Sequence, residues 1–148
     1  MSSQFPEADT TLPAKDLAAF RKQYEAEMPH PSADTTFNLA WGLVHSPSAS
    51  DIAAGERLLL ELHKTAPHLR RDVRYYLGLA AFKQAKFADA RTYAEALLRD
   101  EPQNTQALAL LDAVNQQVQR DGLIGMAIVG GAVAAVGLAV KILASSRR

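Results

Sequence analysis

The sequence predicts an all-α fold: a six-helix bundle built on two tandem helical hairpins, followed by one apolar C-terminal helix. Three observations predict it. Turn-making and small residues recur at a spacing of 35, with Gly55 and Pro67 answering to Ala90 and Pro102. Stripes of apolar residues at helical spacing flank that pair on both sides, and no segment alternates apolar and polar residues as a half-buried strand would. Residues 122–140 carry no charge at all.

At 148 residues the chain is long enough for one domain with a single core. Its 16 basic and 16 acidic residues cancel, but unevenly. The part through Asp121 holds 13 bases and all 16 acids, a net −3, whereas Lys141, Arg147 and Arg148 make the last 27 residues +3. No basic stripe is available to neutralise a run of phosphates, which argues against nucleic acid as a partner. The absence of cysteine removes a disulfide framework, a thiolate metal site and a cysteine nucleophile together.

The first thirteen residues read as a flexible arm. They have neither the basic flank nor the apolar run of a secretory signal or transit peptide. Residues 14–121 read as a cytosolic helical domain. Leu17, Phe20, Tyr24 and Met28 form one apolar stripe that stops at Pro29 and Pro31. The repeat then begins. Leu58 and Leu62 align with Tyr93 and Leu97, and Gly42-Leu43 aligns with Gly78-Leu79 at a spacing of 36. This is the spacing of the tetratricopeptide repeat, in which small residues let two helices approach and Pro ends the second. In the second unit Leu77, Gly78, Phe82, Phe87, Ala90 and Pro102 fill the expected places, although the large aromatic expected early in its first helix falls on Arg74. The first unit has a long turn, His45 to Ser50, with Ser50 or Asp51 expected to cap the helix that follows. Ala107, Leu110, Leu111, Val114 and Val118 form a closing stripe whose helix is expected to continue through Asp121-Gly122. Trp41 shares a helix face with Phe37, Ala40 and Val44, which makes it a plug between the helices of the first hairpin or an anchor for a partner.

The uncharged segment from Gly122, extended through Lys141 to Ala144, is long enough to span a hydrocarbon core of about 30 Å. Residues 122–144 are therefore expected to be a transmembrane tail anchor, with residues 145–148 a short basic end and the acidic body on the cytosolic side. A buried core helix is the alternative, but it would ordinarily show a polar face. Ala127, Gly131, Ala135 and Ala139 recur every fourth residue, a stripe that would let two anchors pack into a homo-oligomer, or that an Ala- and Gly-rich segment produces by composition alone.

Nothing in the chain reads as a catalytic constellation. There is no Gly-rich phosphate loop, no His-Glu-x-x-His and no G-x-S-x-G, and His63 and His68, separated by Pro67, do not share a helical face. No cofactor or metal is expected. Binding remains. The first helix of the second hairpin should present Asp72, Tyr75, Leu79 and Phe82 on the concave face with Lys83 at the rim, a lining suited to an amphipathic partner helix. Core packing accounts for Leu79 or Phe82 taken singly. The Lys and Asn lining with which such repeats grip an extreme C-terminal carboxylate is missing, which weakens a chaperone-tail receptor.

Phe37-Asn38-Leu39-Ala40-Trp41-Gly42-Leu43-Val44, Tyr75-Tyr76-Leu77, Phe82-Lys83 and the glycine-rich tail with its basic end together resemble the mitochondrial fission 1 protein family, in a form like its fungal members. The resemblance implies a tail-anchored adaptor of the outer mitochondrial membrane, and of peroxisomes, that helps bring a dynamin-related GTPase to the membrane, in fungi through a soluble WD-repeat linker protein. It implies that Asp72, Leu79 and Phe82 meet the linker's helices and that an N-terminal arm lies across the groove, with Phe5 and Leu12 the large apolar residues available to dock. A membrane-anchored receptor for organelle-targeting peptides is the competing expectation.

Overall fold

A computed structural model describes residues 5–129, with side chains through residue 121. Among these residues there are seven α-helices and no strand: α1 (Pro6–Asp9), α2 (Ala14–Ala26), α3 (Ala33–Val44), α4 (Ala49–Thr65), α5 (Arg70–Lys83), α6 (Phe87–Asp100) and α7 (Thr105–Val129), with a 3-10 turn at Pro67–Leu69. Each helix from α2 to α7 packs on the next, while α3 also touches α5 and α5 touches α7. Helices α3, α5 and α7 thus form one layer, against which α2, α4 and α6 pack, the arrangement of stacked hairpins.

Side chains that satisfy helix ends fix where the elements begin. Ser32 accepts from the Thr35 N–H at 3.1 Å to start α3, and Asn104 Oδ1 accepts from the Ala107 N–H at 3.0 Å to start α7. The cap of α4 is Ser48, whose hydroxyl accepts from the Asp51 N–H at 3.4 Å, two residues before Ser50 and three before Asp51. Asp51 instead takes the Ser46 hydroxyl at 2.7 Å and Arg21 at 3.0 Å, so it binds the long turn to α2. Between α5 and α6 the chain reverses through Ala85, whose φ of 58° lies in the left-handed region.

The hairpins close over the backbone because two helical positions carry no side chain. A Cβ on Gly55 would stand 2.9 Å from the Ala40 carbonyl oxygen, and one on Gly78 would stand 2.6 Å from Leu110 Cδ2. The core that follows runs through both hairpins and α7, with Leu59, Leu77, Leu79, Leu110 and Val114 fully buried. A smaller cluster of Leu17, Leu39 and Leu43, covered by Leu12, Phe20 and Tyr24, joins α2 to α3.

Two expectations need correction. The arm carries the one-turn helix α1, where Pro6 stands at the first position, its fixed φ suiting the helix and its missing N–H not needed. The bundle accordingly has one helix more than six. Met28 leaves the apolar stripe, since α2 ends at Ala26 and the Met28 side chain is 55% exposed. Arg74, in the aromatic's place, is useful otherwise: it pairs with Asp100 at 3.2 Å and donates to His63 at 3.4 Å, linking the ends of α6 and α4. The closing helix continues past Asp121 as expected, to Val129. No helix among the described residues is long and apolar enough to cross a membrane. The expected anchor and basic end, residues 122–148, lie outside the described residues apart from the α7 backbone.

The turn between α2 and α3 hangs on one carboxylate. Glu27 accepts from the Ser32 N–H at 2.9 Å, the Thr35 hydroxyl at 2.6 Å and the Gln23 amide at 2.6 Å. These bonds, the backbone one foremost, hold its pKa down from 4.5 to about 2. A lowered carboxylate pKa stabilises the fold fully above pH 4.5 and loses that contribution as the pH falls through about 2. The stability difference between the wild type and Glu27→Gln should therefore shrink steadily between pH 5 and pH 2 in urea titrations; a difference independent of pH would remove this carboxylate from the turn's energetics.

Candidate functional site: an occupied groove

The concave face is built by α3, α5 and α7, and the arm lies in it. Phe5 is only 5% exposed and meets Phe82 edge-on, ring centroids 5.6 Å apart; Phe82 in turn meets Phe87 at 5.6 Å. Two residues further on, Glu7 Oε2 accepts the Tyr75 hydroxyl at 2.7 Å. Glu7 Oε1 lies 3.7 Å from Nε2 of His45, a side chain 2% exposed.

Elementary chemistry fixes the polarity of this corner. His45 Nδ1 faces the Trp41 carbonyl oxygen at 2.7 Å, and since a carbonyl only accepts, Nδ1 carries the proton. Burial is the main force pushing the His45 pKa down, with Lys83 acting the same way and the Trp41 carbonyl and Glu7 opposing. Nε2 is thus the ring nitrogen left to face Glu7. Burial, then the bond to Glu7, pushes the Tyr75 hydroxyl up, so it remains a neutral donor. Lys83 donates to the Val44 carbonyl at 2.9 Å; burial lowers its pKa while the charges of Glu7 and Asp9 raise it.

The arm does not fill the groove. On the α7 side of Phe5 a hollow of about 490 Å³ is lined by Trp41, His45, Tyr75, Thr105, Gln106 and Ala109 among others. Beyond Asp9 a second, of about 360 Å³, is lined by Ser46, Ile52, Phe82, Lys83, Phe87 and Gln117 among others.

Of the groove residues expected from the sequence, the structure brings Tyr75, Phe82 and Lys83 to the arm. Leu79 is fully buried and lines neither hollow, because the α5 face it occupies turns into the core. Asp72 is exposed at the start of α5, paired with Arg71 at 3.1 Å, and lines neither hollow. The two arm residues dock separately: Phe5 enters the groove, whereas Leu12 covers the α2–α3 cluster and its N–H donates to the His45 carbonyl at 2.8 Å. Trp41 does not plug the first hairpin. It is half-buried, edge-on to Phe20 of α2 at 6.2 Å and tilted by 34° over His45 at 4.4 Å, on the groove's wall. Glu7 and His45 escaped the sequence reading. An aromatic, then Pro, then a carboxylate is a helix-start pattern that would have pointed to Glu7.

The chain matches two family models, the Fis1 N-terminal tetratricopeptide repeat over residues 34–65 and the Fis1 C-terminal tetratricopeptide repeat over residues 71–123. It is 38% identical to the mitochondrial fission 1 protein of Mycosarcoma maydis over 136 residues, 90% of each chain, and 41% identical to that of Neurospora crassa over 132 residues, 89% of this chain and 86% of the relative. Yeast Fis1 in complex with an Mdv1 fragment superposes with a TM-score of 0.74 at 29% identity, covering 82% of this chain and 95% of that one. Yeast Fis1 complexed with a Caf4 fragment gives 0.57 at 29% identity over 62% and 95%. The chain belongs to the mitochondrial fission 1 protein family, whose members are tetratricopeptide-type adaptors and not enzymes.

Proposed function

We propose that the protein is a tail-anchored adaptor of the outer mitochondrial and peroxisomal membranes whose groove binds helices of a linker protein and so brings a dynamin-related GTPase to the membrane. The observation that carries the reading is the groove itself: an aromatic trough that receives Phe5 and still has open hollows beside the arm. The Mdv1 and Caf4 complexes of yeast Fis1, which shares this fold, support partner binding by such a surface. The anchor reading rests on the uncharged segment from Gly122 to Val140 and the basic residues after it.

The test uses an N-terminal fusion in cells. Phe82→Ala should stay on the organelle surface while the dynamin-related GTPase and its linker no longer co-isolate with it. A chain ending at Asp121 should become diffuse. Recruitment unchanged by Phe82→Ala would remove the groove from the reading, a membrane location kept without residues 122–148 would remove the anchor, and direct binding of presequence peptides would favour a targeting-peptide receptor.

A further inference from the structure

We propose that the groove selects a protein segment carrying an aromatic side chain and, two residues later, a carboxylate at the start of a helical turn, with the chain's own Phe5-Pro6-Glu7 standing in for it. The inference rests on the groove being the partner site and adds what the partner must present.

The arm shows the pattern in place. Phe5 is the N-cap of α1 and buries its ring against Phe82, and Glu7 in the first turn of α1 brings its carboxylate to the Tyr75 hydroxyl at 2.7 Å. Lys83 sits close enough to feel both Glu7 and Asp9. The groove is thus an apolar trough in which the Tyr75 hydroxyl donates beside the aromatic pocket, while the Lys83 ammonium is held on the Val44 carbonyl.

Discrimination follows from what happens when the arm leaves. A purely apolar helix laid over the trough would cover the Tyr75 hydroxyl without replacing Glu7. A buried donor left without an acceptor costs the full desolvation of that group. A site built around polar groups rejects a ligand that lacks their partner more strongly than an apolar pocket rejects a misfit. A carboxylate in the Glu7 position restores the charge-assisted bond. The open hollows on either side of the arm leave room for a segment bulkier than the arm itself.

The experiment uses the full chain in detergent micelles with Phe5→Ala to loosen its arm. The probes are a synthetic peptide of this chain's residues 4–12 and its Glu7→Gln form, titrated at neutral pH into the millimolar range and followed by NMR. The Gln peptide should bind about tenfold more weakly. Tyr75→Phe in the protein should weaken the parent peptide by a similar factor and the Gln peptide less, since Gln keeps an acceptor oxygen but only the carboxylate makes the charge-assisted bond. Equal binding of the two peptides, lost with Phe82→Ala, would overturn the carboxylate rule and keep the groove. Absence of binding by either peptide would overturn both. Dimerisation of the wild-type chain that Phe5→Ala abolishes would make the ligand a second copy's arm and overturn a distinct partner.

Discussion

Leu79→Asp is expected to abolish the folded state, whereas Phe82→Ala, three residues along the same helix, is expected to leave it intact. Leu79 has no exposed surface and lies in the main core among apolar side chains. Placing an ion in such a site costs several kcal/mol even after relaxation, and the lost apolar contacts add to that. A domain of this size has about 5–15 kcal/mol of stability in total, so the variant should show no cooperative thermal transition by circular dichroism. Phe82 differs because one of its faces is covered by the arm. Its removal forfeits the edge-on contacts with Phe5 and Phe87, each worth about 0.5–1.5 kcal/mol, and part of a buried ring. A loss of about 2 kcal/mol, with a retained sharp transition and an arm newly open to proteolysis, is the expected outcome. A folded Leu79→Asp would move that residue from the core to the groove surface.

That contrast also marks how far the sequence was legible. Periodicity says that Tyr75, Leu79 and Phe82 share a helical face, and they do lie on one side of α5. It does not say how wide a stripe the neighbouring helices cover. The core of this stack takes Leu79 entirely and part of Phe82, and only packing against α3 and α7 decides the boundary. The hairpins themselves were readable because their glycines, alanines and prolines act locally, through close approach and termination. Which of its two expected places Trp41 takes is not legible, for the opposite reason: its contacts with Phe20 and His45 depend on where α2 and the turn after α3 return in space. The polar corner was the least legible feature. Glu7 and Tyr75 are 68 residues apart, and nothing local to either predicts their hydrogen bond.

Gly55→Ala is expected to destabilise the protein although it improves helix propensity. In an exposed helix the change would gain about 1 kcal/mol. Here the new methyl would stand 2.9 Å from the Ala40 carbonyl oxygen and 3.0 Å from both Leu43 Cβ and Val44 Cγ2. The carbonyl belongs to the α3 backbone and cannot rotate away, so α3 and α4 must separate, and overpacking of this kind costs about 1–3 kcal/mol. The parting also loosens Ala40 and Val44, both fully buried in the main core. A net loss of about 1–2 kcal/mol, read as a lower urea midpoint with unchanged slope, is the expected result. Gly78→Ala provides the comparison. Its nearest obstacle, at 2.6 Å, is Leu110 Cδ2, the end of a side chain, and the next is Tyr93 Cβ at 3.3 Å. Shortening Leu110 to Val should therefore recover part of the Gly78→Ala loss, whereas no single side-chain truncation should rescue Gly55→Ala. If Leu43→Ala or Val44→Ala did rescue it, the limiting contact would be a side chain, and the α3 backbone would not set the spacing of the first hairpin.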